Sequence, residues 1–199
     1  SDDIWPSPWQ TDTCIGQWHY KIGQKYKSAK EVIDLLVEVV SKNGNLLLNF
    51  PLHASGELDA EEMQILQGIT CWMSINGEGI FGTRPWTVYG EGPTVKAGVA
   101  TGRFNADKQP DYTWRDIRFT SKGEMLYAFV QGWPPQGELT IASLASGASQ
   151  NARKALDVRM LGREETLKFT QDASGLRVIF PPQRPASAEI GVGLRVSFV

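Results

Sequence analysis

At 199 residues, with 41% apolar and 21% charged side chains and a formal charge of −2, the chain can build a sizeable core but has no basic excess to hold nucleic acid or an anionic membrane. No stretch approaches the roughly 20 apolar residues that span a bilayer, and the amino end, SDDIWPSPW, has neither the positive charge nor the apolar run of a signal peptide. Because the first residue is Ser and not Met, an upstream segment is expected to precede it.

The first predicted element is a strand within PWQTDTCIGQWHY, Pro8 to Tyr20. Val32, Ile33, Leu35, Leu36, Val37, Val39 and Val40 then make a broadly apolar helix over about Ser28 to Asn43, with Ser28 as its N-cap and Gly44 as its stop. From Asn45 to Phe50 the chain is nearly unbroken in apolar character, as a parallel strand buried on both faces requires. Pro51, Leu52, His53, Ala54, Ser55 and Gly56 follow as a breaker-rich loop, of the kind that carries function at the C-terminal ends of barrel strands. A second helix is expected from Asp59 to Asn76, capped by Asp59, with Glu61 and Glu62 favouring its positive end and Gly77 as its stop.

Near Gly90 this strand-helix alternation gives way to short β segments. They are predicted at Asp116 to Thr120, Met125 to Gln131, Glu138 to Ile141, Ala155 to Met160, Leu167 to Thr170, Leu176 to Phe180 and Gly193 to Val199, separated by turns such as SKG, PPQG and DASG. Alternation in Ile117 and Phe119, and again in Leu194, Val196 and Phe198, predicts antiparallel sheets with one buried and one wet face, packed as a sandwich.

Cys14 and Cys71 allow one bridge at most; they are read as free buried thiols, with a disulfide as the alternative. Two separated histidines and two cysteines give no metal-ligand spacing. GEGIFG and YGEGPT are turn-forming linkers, since neither joins a strand to a helix N-terminus as a phosphate loop does. No cofactor is expected.

Several ordered stretches together resemble the α-L-fucosidases of glycoside hydrolase family 29. PWQTDTCIGQWHY is similar to the family's penultimate barrel strand, and YKSAKEVIDLLVEVVSKNGNLLLN, Tyr26 to Asn49, to the helix and last strand that follow. NGEGIFGTRPW and YGEGP resemble the exit from the barrel, and WRDIRFTSKGEMLYAFVQGWP, Trp114 to Pro134, the opening of the C-terminal β-sandwich. The fold this implies is α/β plus all-β: the last two strand-helix units of a (β/α)8 barrel, then an antiparallel β-sandwich. The expected division is a barrel remnant over 1–90, a linker over 91–112 and the sandwich over 113–199. A complete barrel takes roughly 250 residues, so the chain is expected to be the C-terminal portion of such an enzyme. The faces that two barrel units leave uncovered imply either an N-terminal barrel segment or a homo-oligomer. The family also suggests a periplasmic or secreted location and a fucose-containing glycan as substrate.

A retaining glycosidase needs a carboxylate nucleophile and a second carboxyl group about 5 Å away to protonate the leaving oxygen. In the family the nucleophile is an Asp on a middle barrel strand. No segment here resembles that strand, so the nucleophile is expected to be absent. The family's acid/base position falls on Gln10, whose amide cannot give and regain a proton. Asp12 shares the face of Gln10 in an extended segment and is the nearest titratable substitute; the alternative is an Asp bonded to nearby backbone amides. Trp18 matches the aromatic that lines the family's fucose pocket, with core packing as the alternative, and His19 and Tyr20 follow where the family varies. Asn49 ends the last strand, placed for the sugar or the loop backbone, the latter preferred; His53 reads as a solvated loop residue.

Tyr112, Trp114, Tyr127 and Trp133 either stack on sugars from an exposed sheet or fill the sandwich core and its contact with the barrel, the latter preferred. Two functions follow: a C-terminal part of an exo-acting retaining α-L-fucosidase, or a non-catalytic carbohydrate-binding or scaffolding module.

Overall fold

The computed structural model describes residues 3–96, 110–148 and 153–199. Two strands, β1 (Trp9–Cys14) and β2 (Gly44–Asn49), pair in parallel with Gln10 beside Asn45, Asp12 beside Leu47 and Cys14 beside Asn49. A parallel pair needs a long crossover, and α1 (Ala29–Ser41) supplies it. Ser28 Oγ accepts from the Glu31 N–H at 3.2 Å while the Glu31 carboxylate accepts from the Ser28 N–H at 2.8 Å, a capping box worth about 1 kcal/mol. The helix is stopped by Asn43, not Gly44. Asn43 takes the left-handed conformation, φ 71°, which a short polar side chain tolerates. Gly44 instead opens β2, where a Cβ would come within 2.7 Å of both Trp9 and Val39.

A second helix, α2 (Ala60–Asn76), carries the same cap at Asp59 and Glu62, with both reciprocal bonds at 2.9 Å. Gly77 is not a left-handed stop: at φ −60° it leads directly into a single 3₁₀ turn, Gly77–Gly79. The expectation that β2 is buried on both faces is also corrected. Leu48 packs with Ile15, Tyr26, Val32 and Ile65 under the helices, but Leu47 on the opposite face is 56% exposed, because among the described residues only the helix side of this strand pair has a covering layer.

Beyond α2 lie two antiparallel sheets. The larger has the order β3 (Arg84–Glu91), β4 (Ile117–Lys122), β5 (Met125–Val130), β10 (Val192–Phe198), β7 (Ala155–Met160), and the smaller β6 (Glu138–Ile141), β9 (Gly175–Ile179), β8 (Lys168–Asp172). Phe119, Ala128, Leu139, Ile141, Val158, Leu176, Val178 and Leu194 form the core between them. β3 lies before the expected boundary at residue 90, yet Arg84 pairs with Ser121 and Glu91 with Ile117, so the sheet begins in the segment read as the barrel exit. Of the expected linker, 97–109 lie outside the described residues; Pro93–Lys96 form a single helical turn.

The larger sheet has no wet face over β4 and β5. Ile117 and Phe119 point into the sandwich, while Tyr127 and Phe129 pack with Ile33, Val37, Trp72 and Ile80 from the helical part. The sheet is therefore a middle layer, and polar side chains on its helix-facing side must find partners there. Thr120 Oγ1 donates to Gly79 O at 2.6 Å, and Trp72 Nε1 donates to Gly191 O at 2.9 Å. Arg118, 1% exposed, pairs with Glu38 of α1. The aromatics singled out in the sequence are spent in this architecture. Tyr112 and Tyr127 are buried, Tyr127 donates to Glu78 at 2.8 Å, Trp133 packs edge-on against Phe180 at 5.1 Å, and Trp114 lies against the core beneath Arg115 at 4.4 Å.

Candidate active site

Strand alternation divides β1 and β2 into two faces. Trp9, Thr11 and Thr13 with Gly44, Leu46 and Leu48 face the helices; Gln10, Asp12 and Cys14 with Asn45, Leu47 and Asn49 share the other side, the one that lines the interior of a closed barrel. Catalytic groups in such barrels sit at the C-terminal strand ends. Cys14 and Asn49 occupy those ends, paired in register. At about 3.3 Å per residue, Asp12 lies about 7 Å below that rim and Gln10 about 13 Å below it. Both are exposed on the inner face, and neither side chain makes a hydrogen bond among the described residues.

At the rim, the Asn49 amide donates to Cys14 Sγ at 3.2 Å, and the thiol donates to Gln17 O at 2.9 Å. The expected bond from Asn49 to the backbone of its own loop is replaced by this one: in-register pairing of the strand ends sets the thiol opposite the amide. Cys14 is free and buried. Cys71 is free but exposed, which corrects the buried reading: it sits on the side of α2 turned away from the core.

The loop after β1 carries the remaining candidates. Trp18 is 56% exposed and His19 is exposed, so Trp18 is not core packing within this chain. Tyr20 turns inward, its ring meeting the His53 ring edge-on at 5.1 Å. Burial raises the Tyr20 phenol above its ordinary value, assisted by the Asp59 charge. His53 is exposed, as the solvated-loop reading has it, and its Nδ1 accepts from the Ser55 N–H at 3.2 Å. Below, the Tyr26 hydroxyl donates to Asp59 Oδ2 at 2.8 Å. Burial first, and that bond second, push the Tyr26 phenol well above its usual range. The Glu62 N–H and then Tyr26 hold the Asp59 carboxyl below the usual carboxylate range.

The sequence offers Gln10, Asp12, Trp18, His19 and Asn49 as site residues; Cys14, met there only as a thiol, and the Gln24, Tyr26 and Asp59 group, met there only through the Asp59 cap, join them in the structure. Cys14 was within reach, since the period-2 alternation through Gln10 and Asp12 lands on it. The other three come together only because α2 starts beside the loop. Among the described residues no group of three or more His, Cys, Asp or Glu is placed to hold a metal ion, and no helix is long and apolar enough to cross a membrane.

Two family models match in tandem: Alpha-L-fucosidase over residues 1–78 and Alpha-L-fucosidase C-terminal domain over 109–196. Tissue alpha-L-fucosidase of Bos taurus is 31% identical over 186 residues, covering 90% of this chain and 34% of the relative; the Homo sapiens protein is 29% identical with the same coverage. The chain thus spans about a third of the length of these curated relatives. Among solved structures, the Thermotoga maritima alpha-fucosidase in complex with fucose superposes with a TM-score of 0.73 at 25% identity, covering 98% of this chain and 41% of that one. The two matched segments, the two closing barrel units and the sandwich behind them occur in one order in chain and relatives alike: the chain belongs to the α-L-fucosidase family, of which it carries the C-terminal part.

Proposed function

We propose that this chain forms the C-terminal wall and supporting domain of an exo-acting, retaining α-L-fucosidase that removes fucose from glycoconjugates. The observation that carries the reading is the exposed Trp18, held on the loop at the C-terminal strand ends beside the Asn49 and Cys14 pair. An indole presented there supplies a flat apolar wall for the face and methyl group of a fucose ring, and the Asn49 amide supplies a polar contact. Neither β1 nor β2 carries a carboxylate pair at the spacing of about 5 Å that retention requires. Asp12 is the one acidic side chain on the inner face of the two strands. In this reading Asp12 and Gln10 line the barrel interior, and the nucleophile belongs to the N-terminal barrel segment, which also covers the open inner face. The barrel part then ends near Thr83, with β3 opening the sandwich.

A chromogenic α-L-fucoside assay of the 199-residue chain tests the division of labour. The reading predicts no release above the buffer rate. Steady hydrolysis by the chain alone, abolished in Asp12→Asn, overturns it and makes Asp12 a catalytic residue.

A further inference from the structure

The loop that presents Trp18 is held by a directional chain of hydrogen bonds starting at the N-terminus of α2. The Tyr26 hydroxyl donates to Asp59 Oδ2 at 2.8 Å, Gln24 Nε2 donates to the Tyr26 oxygen at 3.1 Å, and Gln24 Oε1 accepts from the Gln17 N–H at 2.8 Å. Every donor meets an acceptor in one sense, so each bond polarises the next, and the first is charge-assisted by the ionised Asp59. Gln17 is the residue immediately before Trp18.

The surroundings are built to admit this chain. Gly16 has no side chain where a Cβ would meet Gln24 Oε1 at 2.6 Å and Tyr26 Cδ1 at 2.9 Å. The base of the loop is closed by Lys27 N–H to Ile15 O at 2.6 Å and by Lys27 Nζ to Cys14 O at 2.9 Å. Trp18 itself makes no ring contact among the described residues, so its direction depends on the backbone that carries it.

We propose that Asp59, Tyr26 and Gln24 are positioning residues: they fix the Gln17 amide and thereby aim the Trp18 indole across the strand ends, setting the wall against which the sugar is held. This rests on the reading of Trp18 given under the proposed function. It assigns Asp59 two separable tasks. Its Oδ1 accepts from the Glu62 N–H and caps α2, while its Oδ2 accepts from Tyr26. Asp59→Asn keeps the cap, because Asn is as good an N-cap as Asp, but it replaces one of the two acceptors with a donor, so cap and relay cannot both be satisfied.

The test is amide hydrogen exchange at Gln17 and the indole N–H resonance of Trp18, both by NMR on the ligand-free 199-residue chain, in wild type, Tyr26→Phe and Asp59→Asn. Exchange at Gln17 is expected to quicken at least tenfold in both variants. The Trp18 signal is expected to move toward a solvent-averaged position, while Asp59→Asn, which keeps the cap, lowers the thermal midpoint no more than Tyr26→Phe does. Unchanged exchange, or quickened exchange with an unmoved Trp18 resonance, overturns the proposal. Separately, a wild type that fails to bind fucose removes the proposed function, and the ligand-free measurements still decide whether the relay aims Trp18.

Discussion

Arg118 on β4 and Glu38 on α1 form an ion pair in which both side chains are almost wholly shut off from water, with Lys42 reaching the other Glu38 oxygen at 2.5 Å. This pair joins the sandwich to the helix that connects the two barrel strands. Burial alone pushes the Glu38 carboxyl up, but the charges of Arg118 and Lys42 outweigh it and hold the group below its ordinary range. Arg118 also donates to Thr94 Oγ1 at 2.8 Å and to Ile117 O at 3.0 Å, so the guanidinium is well satisfied.

Removing one partner strands a buried charge. Glu38→Ala leaves both Arg118 and Lys42 buried without their anion and is expected to destabilise the chain by about 3–5 kcal/mol, whereas replacing Glu38, Arg118 and Lys42 together by Leu, Met and Met costs far less. Urea unfolding of the single and triple variants checks this; equal losses in the two would show that packing, not charge, sets the cost.

One turn earlier, Asp34 gives a pH dependence of defined sign. Its carboxylate accepts from Lys30 Nζ at 2.7 and 3.0 Å and from Gln131 Nε2 at 3.3 Å. Burial outweighs these partners and Arg118 and pushes the group up to about 6 from 3.8. A folded-state value above the unfolded one means that the folded chain binds the proton more tightly. The stability this contributes is complete below about 3.8 and is lost as pH rises through about 6, amounting to roughly 2–3 kcal/mol. Unfolding free energies at pH 4.5 and 7.5 should differ by about 2 kcal/mol more in wild type than in Asp34→Asn, the full amount being reached only below about 3.8. Identical slopes in the two proteins would contradict the assignment.

The two thiols should differ in access. Cys71 is exposed, whereas Cys14 is buried and held between Gln17 O and the Asn49 amide. Native-state titration with an aromatic disulfide reagent is expected to give one fast equivalent, removed by Cys71→Ser, and a second only on unfolding.

Asp12 and Gln10 lie exposed on the inner face without hydrogen-bond partners among the described residues. Asp12→Asn and Gln10→Ala should each change the stability of the isolated chain by less than about 0.5 kcal/mol. A larger loss in thermal melts would show that these side chains serve the fold.

The helices were legible in the sequence because their caps are local: Ser28 with Glu31 and Asp59 with Glu62 are signals three residues apart. The sandwich strands were legible through turn residues and alternation. What escaped depends on contacts between elements remote in sequence. β4 alternates like a half-wet strand, yet α1 and α2 cover its second face and nothing within that segment announces it; only the unbroken apolar run of β5, MLYAFV, carries the signature of a strand covered on both sides. β3 reads as a barrel exit because Gly90 and its neighbours suggest a linker, while its partner β4 comes only after a long intervening segment. At the site, family likeness carried Trp18, but the Gln24, Tyr26 and Asp59 chain depends on a bond between residues 33 apart and is visible only in three dimensions.

These strand ends and their loop are proposed to form part of a fucose site whose nucleophile lies in another segment. Titrating fucose into the 199-residue chain while following the Trp18 indole N–H resonance tests it most directly. A saturable, weak perturbation of that signal, lost in Trp18→Ala, is expected without any hydrolysis of a chromogenic fucoside. A Trp18 resonance unmoved by fucose, in a chain shown to be folded, would contradict it.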